Sequence, residues 1–359
     1  MSLYPKLIED ALRTVVHPEK KEDIVKLGML EDDIRISGKN VTFSLIFDRV
    51  NDPMVATIKK MSINAIKAAA GDDVEIEPNH IFVKIRKKVE KEESPVLPNV
   101  KNIIAISSGK GGVGKSTVTA NIAVALAIKG YKVGLLDADI FGPSVPIMFQ
   151  TEDARPLLSD ESTEERQLIE PIVKYGVKML SIGYFVDPGS AIVWRGGMAS
   201  NALKQLVTDT AWGDLDYLLI DMPPGTSDIH ISLVSLVSLT GAVIVSTPQK
   251  VALADAIKGI NMYQNDKVNV PIIGIVENMA YFTPAELPNN KYYIFGQGGA
   301  QALAEKENIP FLGQIPLVQS IRENGDAGTP VALVDSSPMG VAFAELADRL
   351  VAETQRISW

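Results

Sequence analysis

The chain has 359 residues, 46% of them hydrophobic, with 35 basic against 44 acidic side chains and a formal charge of −9. That length buries a substantial core and predicts about two domains, while the acidic balance leaves no electrostatic footprint for nucleic-acid phosphates or an anionic membrane face. There is no cysteine, which excludes disulfides, thiolate metal sites and cysteine nucleophiles and leaves His17, His80 and His230 as the only imidazoles.

The N-terminal stretch "MSLYPKLIEDALRTVV" carries acidic residues where a secretion signal needs an apolar core, and no apolar run reaches the roughly 18 residues of a membrane span. A cytoplasmic protein without a membrane or nucleic-acid partner is expected. The first 88 residues read as a small α+β unit. Leu3, Leu7, Ala11, Leu12 and Val15 recur at helical spacing, and Val41, Phe43, Leu45 and Phe47 alternate along a half-buried strand. Met54, Ile58, Met61 and Ala65 mark the core face of a second helix, and "IFVKI" closes the unit as a strand. The charged, proline-bearing and aperiodic "RKKVEKEESPVLPN" then predicts a linker, placed at 89–99.

From residue 100 to 359, short Val/Ile/Leu runs alternate with helical patterns. "NIIAIS", "KVGLLDAD", "YLLIDMP", "AVIVSTP" and "PIIGIVEN" read as buried parallel strands, so this part is expected to be a doubly wound α/β domain with a mostly parallel sheet. "TEDARPLLSDESTEERQ" reads as an exposed excursion, and "LIEPIVKYGVKMLSIGYF" as a possible hairpin. In the C-terminal helix, Phe343, Leu346 and Leu350 share a face that suits core docking.

Gly109, Gly114, Lys115 and Ser116 satisfy G-x-x-x-x-G-K-[ST] between an apolar strand and a helical run. In such a P-loop the backbone N–H groups of residues 109–117 (Gly109, Lys110, Gly111, Gly112, Val113, Gly114, Lys115, Ser116, Thr117) surround phosphates at a helix N-terminus. Lys115 reaches the β and γ oxygens and the Ser116 hydroxyl binds magnesium. Asp221 ends the apolar strand "YLLID" and is the carboxylate expected just outside the magnesium's direct ligands; the prolines and Gly225 behind it suit a turn that offers one bare N–H to the γ-phosphate. Asp137 and Asp139 stand two apart after another strand, on one side of an extended chain. Asp139 is the candidate for orienting the attacking water and Asp137 for outer-shell contact with magnesium, against the plainer reading of two turn-forming aspartates. The second loop lysine, Lys110, has two readings on physics alone: a solvated side chain, or a cation lent across a dimer interface as an arginine finger is.

The loop "KGGVGKST", the pair in "DADIFGPSVP" and the switch "DMPPGTSD" together resemble the deviant Walker A ATPases of the MinD/ParA group, and within it the Mrp/ApbC family of iron–sulfur cluster carriers. "WRGGMASNALKQL", "STPQKVALADA", "VENMAYF" and "IFGQGGA" extend the resemblance over nearly all of residues 100–359, and the first 90 residues resemble the small PaaD/SufT-related domain often fused in front. The resemblance implies a homodimer closing on two ATP molecules with Mg2+, Lys110 acting in trans, and Asn278 reading the N6 and N7 edge of adenine. It also implies an iron–sulfur cluster as cargo, with scaffold proteins or apoprotein clients as partners. One departure matters: relatives usually carry Cys-x-x-Cys shortly after "ENM", where this chain has Pro284 and Leu287, and Asp52 precedes Pro53 where the front domain often has a reactive cysteine.

Three functions follow. The first is an ATP-hydrolysing dimer serving iron–sulfur cluster assembly, either with weaker ligands such as Glu286 or His230 or by acting on partners that hold the cluster. The second is a positioning ATPase of the MinD/ParA kind without a cluster. The third is a small-molecule kinase or ligase, for which Trp194 and Arg195 are the candidate acceptor residues.

Overall fold

A strand covered by helices on both faces has no polar side to show, and five segments of this chain are built that way. In the computed structural model the described residues are 3–31, 33–47, 52–71, 73–85, 96–164, 166–186, 196–226, 228–266, 268–284, 286–287, 289–334 and 336–357. They divide into two units, Met1–Glu92 and Glu93–Trp359. Residues 86–95, in which the expected linker begins, and Trp194 and Arg195 lie outside the described residues.

In the first unit, helices α1 (Pro5–Leu12) and α2 (Val55–Ala70) accompany strands β1 (Arg35–Ser37), β2 (Asn40–Phe47) and β3 (Ile81–Ile85), ordered β1-β2-β3. Val41, Phe43, Leu45 and Phe47 all turn into the core, as their alternation predicts. Helix α2 differs from expectation. Its fully buried stripe is Ile58, Ser62, Ile66 and Ala70, with Met54, Met61 and Ala65 at the margin. Ser62 can be buried because its hydroxyl donates to the Ile58 carbonyl at 2.9 Å.

The second unit holds an eight-stranded sheet ordered β11-β10-β9-β4-β8-β5-β7-β6. Its strands are β4 (Val100–Ser107), β5 (Val133–Asp137), β6 (Ile172–Lys174), β7 (Val177–Ser181), β8 (Leu215–Asp221), β9 (Gly241–Ser246), β10 (Ile272–Asn278) and β11 (Phe311–Ile315). Neighbours are parallel except β6 and β7, which form the expected hairpin. The helices are α3 (Lys115–Ile128), α4 (Val145–Met148), α5 (Gly196–Thr208), α6 (Asp228–Leu236), α7 (Lys250–Gln264), α8 (Gly299–Glu307), α9 (Gln319–Asp326) and α10 (Pro338–Ile357). Alternate strand residues feed two cores. Ile103 and Ala105 pack with residues of α5, α6, α7 and α8, whereas Ile104 and Ile106 pack with α3 and with Phe343, Leu346 and Leu350 of α10.

The strand order fixes where chemistry can sit. Strand β4 lies between β8 and β9, and the crossover through α3 returns the chain to β5 on the far side of β8. The C-terminal ends of β4, β8 and β5 therefore converge, and open α/β sheets bind ligands in such a crevice.

Candidate nucleotide site

The chain leaves β4 at Ser107 and re-enters regular structure at Lys115, so the glycine-rich loop spans the end of the central strand and the first turn of α3. Two glycines show why a side chain is excluded there. Gly114 has φ +79°, and a Cβ on it would run into the Asn278 amide. A Cβ on Gly109 would run into the α7 backbone at Asp255 and Ala256. The loop thus curls tightly, and residues 110–117 line a cavity of about 220 Å3 together with Asp139. Lys110 and Lys115, the two lysines that the sequence sets on either side of the glycines, share this cavity.

Beneath it, Lys115 and Asp221 form a buried ion pair, Nζ to Oδ1 at 2.7 Å, with the lysine 6% and the aspartate 0% exposed. Thr119 donates its hydroxyl to the same Oδ1 at 2.8 Å, and Ser116 Oγ lies 3.3 Å from the ammonium. Asp221 Oδ2 is buried with no hydrogen-bond partner. An orphaned buried carboxylate oxygen is unfavourable unless a ligand completes it, and here its carboxylate pairs with the lysine that also meets Ser116 Oγ and lines the glycine-rich cavity. A hydrated divalent cation on a phosphate fits that donor set.

Asp137 sits opposite Asp221 in the sheet register and is fully buried. Its Oδ2 accepts from the backbone N–H groups of Ser144 and Val145 at 3.1 Å and from the Ser181 hydroxyl at 3.0 Å, while Oδ1 accepts from Asp139 N–H at 3.2 Å. Burial, with the facing Asp221 charge second, pushes its carboxyl up to about 7. Asp137 therefore anchors the 139–145 loop in this state. Asp139 is half-buried, facing the cavity with Oδ1 accepting from Gly142 N–H at 3.2 Å.

Asn278 ends β10 and donates its amide to the Val113 carbonyl at 2.8 Å, which ties the end of β10 to the glycine-rich loop. It also lines a second cavity of about 280 Å3, shared with Gly114 and Thr117 and walled by Pro316, Leu317 and Ile321. A polar cradle beside an apolar slot is the shape of a nucleotide. The turn after β8 departs from expectation: Pro223 and Pro224 have no N–H, and Gly225 donates its own to the Ser108 carbonyl at 3.0 Å. Its N–H is engaged, not bare.

The sequence reading missed Thr119, Glu277 and the true setting of His230. Glu277 is fully buried, accepting from Ala300 N–H at 2.7 Å and from the Gln314 amide at 2.8 Å, and so ties the start of α8, where the 279–298 loop ends, and strand β11 to β10. A glutamate inside an otherwise apolar strand was the available signal. Pro284 and Leu287 lie in a turn where Leu287 donates its N–H to the Pro284 carbonyl at 3.1 Å, and Leu287 and Glu286 are exposed. Among the described residues no three His, Asp or Glu side chains gather to hold a metal ion, and no helix is long and apolar enough to cross a membrane.

Residues 99–351 match the family model described as the NUBPL iron-transfer P-loop NTPase, of the ParA group, and residues 6–77 match that of an iron–sulfur cluster assembly protein. The iron–sulfur cluster carrier protein of Synechocystis is 42% identical over 90% of this chain and 89% of its own, and that of Haemophilus influenzae 40% identical over 96% and 91%. Among solved structures, the nucleotide-binding protein of Archaeoglobus fulgidus in complex with ADP is 38% identical with a TM-score of 0.58, covering 69% of this chain and 93% of that one. The Pyrococcus furiosus cell division ATPase MinD is 25% identical with a TM-score of 0.51, covering 70% and 99%.

Proposed function

The chain belongs to the iron-transfer P-loop NTPase family, and from that premise we propose that it is an ATP-hydrolysing homodimer that acts in iron–sulfur cluster assembly or transfer to apoproteins. The observation that carries the reading is the buried Lys115–Asp221 pair with its uncompleted Oδ2, set under a glycine cradle.

In this reading the backbone of residues 110–117 holds the phosphates and the apolar slot beside Asn278 takes the adenine. Lys115 moves its ammonium from Asp221 to the phosphate oxygens, and Thr119 keeps a hydrogen bond on the carboxylate it leaves. Ser116 and Asp221 would hold magnesium, with Asp137 behind them. Bound there, the ion would supply charge neutralisation for the phosphates. Asp139, facing the same cavity, orients the attacking water. Among the described residues Lys110 has neither ion pair nor side-chain hydrogen bond and is half-buried at the cavity, so it is available to a second copy's phosphates, which would make turnover depend on dimerisation.

Cargo handling follows from chemistry. With no cysteine in the chain, and with His230 fully buried against the Pro223 carbonyl, the cluster is held by a partner, on which the ATPase cycle acts. Helix α10 turns Phe343, Leu346 and Leu350 into the core, which supports this over a switch that works through a membrane-seeking tail. The test is anaerobic maturation of an apoprotein from a cluster-loaded scaffold, with and without this protein and ATP. Acceleration that needs ATP, with no iron or sulfide retained on the chain itself, is expected; an ATP-independent rate overturns the proposal.

A further inference from the structure

His230 is the imidazole that the function leaves unused. It lies in α6 with no exposed surface, and its Nε2 stands 2.9 Å from the carbonyl oxygen of Pro223, seven residues back in the turn after β8. A carbonyl only accepts, so Nε2 carries the proton and donates. The same turn is tied on its other side: Met222 donates its N–H to Ile106 and Gly225 to Ser108, each at 3.0 Å. Residues 222–225 are therefore strung between the strand that carries the phosphate loop and helix α6, and the imidazole is the attachment at the α6 end. The outer surface of α6 is open to solvent at Ile231, 50% exposed, and Ser232 meets Ser200 of α5 at 3.3 Å.

We propose that His230 is a positioning residue that holds the 222–225 turn in register with the phosphate loop and carries displacement of that turn into α6. The inference rests on the nucleotide reading above. An imidazole is a rigid plane with its donor at a set distance from the helix backbone. Displacement of the Pro223 carbonyl thus either carries α6 with it or breaks this hydrogen bond, which is unfavourable. Proline at 223 and 224 sharpens the coupling, because their fixed φ lets the turn shift as one piece.

The test has separable arms. Calorimetry of the unaltered protein with ATP examines the nucleotide site itself; absence of binding there sinks the nucleotide reading, and this inference with it. In protein that binds, the chain's three histidines make nitrogen NMR of the rings tractable. One ring is expected to carry its proton on Nε2 and to move on addition of ATP and magnesium, with changed amide exchange along α6. His230→Leu is expected to lower kcat about tenfold, the rate equivalent of one ordinary hydrogen bond, with KM within about twofold and the ATP-dependent change in α6 exchange lost. His230→Gln, whose amide can donate to Pro223, is expected to restore most of both. A ring signal indifferent to bound ATP, or a His230→Leu protein that melts like the parent with unaltered kcat and α6 exchange, overturns the inference. If the leucine variant does not fold, the ring signal of the parent decides alone.

Discussion

The phosphate cradle and the 279–298 loop start from adjacent points, since Asn278 closes β10 on one and opens onto the other, yet they are built on opposite terms. Beneath the cradle the side chains are fixed against one another: an ion pair at 2.7 Å, a threonine hydroxyl on the same oxygen, one carboxylate oxygen left open. The loop beyond Asn278 shows solvent its apolar side chains, Ile294 at 59% exposure and Leu287 at 47%. It is held where it meets α8 by the Glu277–Ala300 bond, and within itself by the Phe282–Tyr292 bridge and the Tyr281–Tyr293 ring contact. A site that does chemistry on a small charged ligand has to be preorganised to fractions of an ångström. A surface that meets other proteins does not. On the proposed reading, the contrast separates a nucleotide site from a loop that leaves the cargo to partners.

The sharpest way to break the contrast is to break the cradle. Lys115→Ala removes the cation that serves both Asp221 and the phosphates, so ATP binding measured by calorimetry should disappear. The nucleotide-free protein should also lose about 3–5 kcal/mol in denaturant unfolding, the typical penalty for stranding one member of a buried pair. Retained binding would mean that the cradle holds nucleotide by backbone alone. Next in size is Lys110→Ala. Binding should stay within about threefold while hydrolysis falls at least about a hundredfold, as expected for a cation supplied in trans, with sedimentation reporting the ATP-dependent dimer. Normal turnover would return Lys110 to the solvated reading.

How much of this was readable in advance differs by element for physical reasons. Strands β4, β5, β8, β9 and β10 were visible because burial on both faces leaves continuous apolar runs. Strand β11 was not, because "FLGQI" at the sheet edge mixes glycine and glutamine into a short run, and β1 is only three residues long. The loop residues announced themselves by spacing. The Lys115–Asp221 contact could not, since its partners are 106 residues apart and meet through strand order. His230 looked like a candidate ligand by residue type; only its burial against Pro223 shows a positioning contact.

A smaller effect distinguishes the two carboxylates under the cradle. Asp137 rises from 3.8 to about 7 through burial and the facing Asp221. A raised carboxyl favours the fold in its protonated form, so its contribution is present below about pH 4 and is lost as pH climbs through about 7. Relative to Asp137→Asn, the parent protein should therefore lose melting temperature between pH 5 and 8 and level off above. A difference that grows in the parent's favour over that range would show that Asp137 is charged throughout.

The smallest expected change in ATP turnover comes from altering the loop itself, and it sharpens the comparison most. Leu287 is exposed and bonded through its backbone to Pro284 in a single turn, so Pro284→Cys with Leu287→Cys places two thiols at the spacing relatives use without touching the cradle. Leu287 is exposed and Pro284 half-buried; surface substitutions of this kind usually move stability by less than about 0.5 kcal/mol, so turnover should remain within about twofold. If only those side chains keep the loop from holding a cluster, anaerobic reconstitution of the double variant should leave iron and sulfide on the protein, where the parent is expected to retain none. Failure to retain them in a folded, ATP-turning variant would mean that the loop's path, and not just its residues, has moved away from cluster binding, and that partner-held cargo is written into the backbone of this chain.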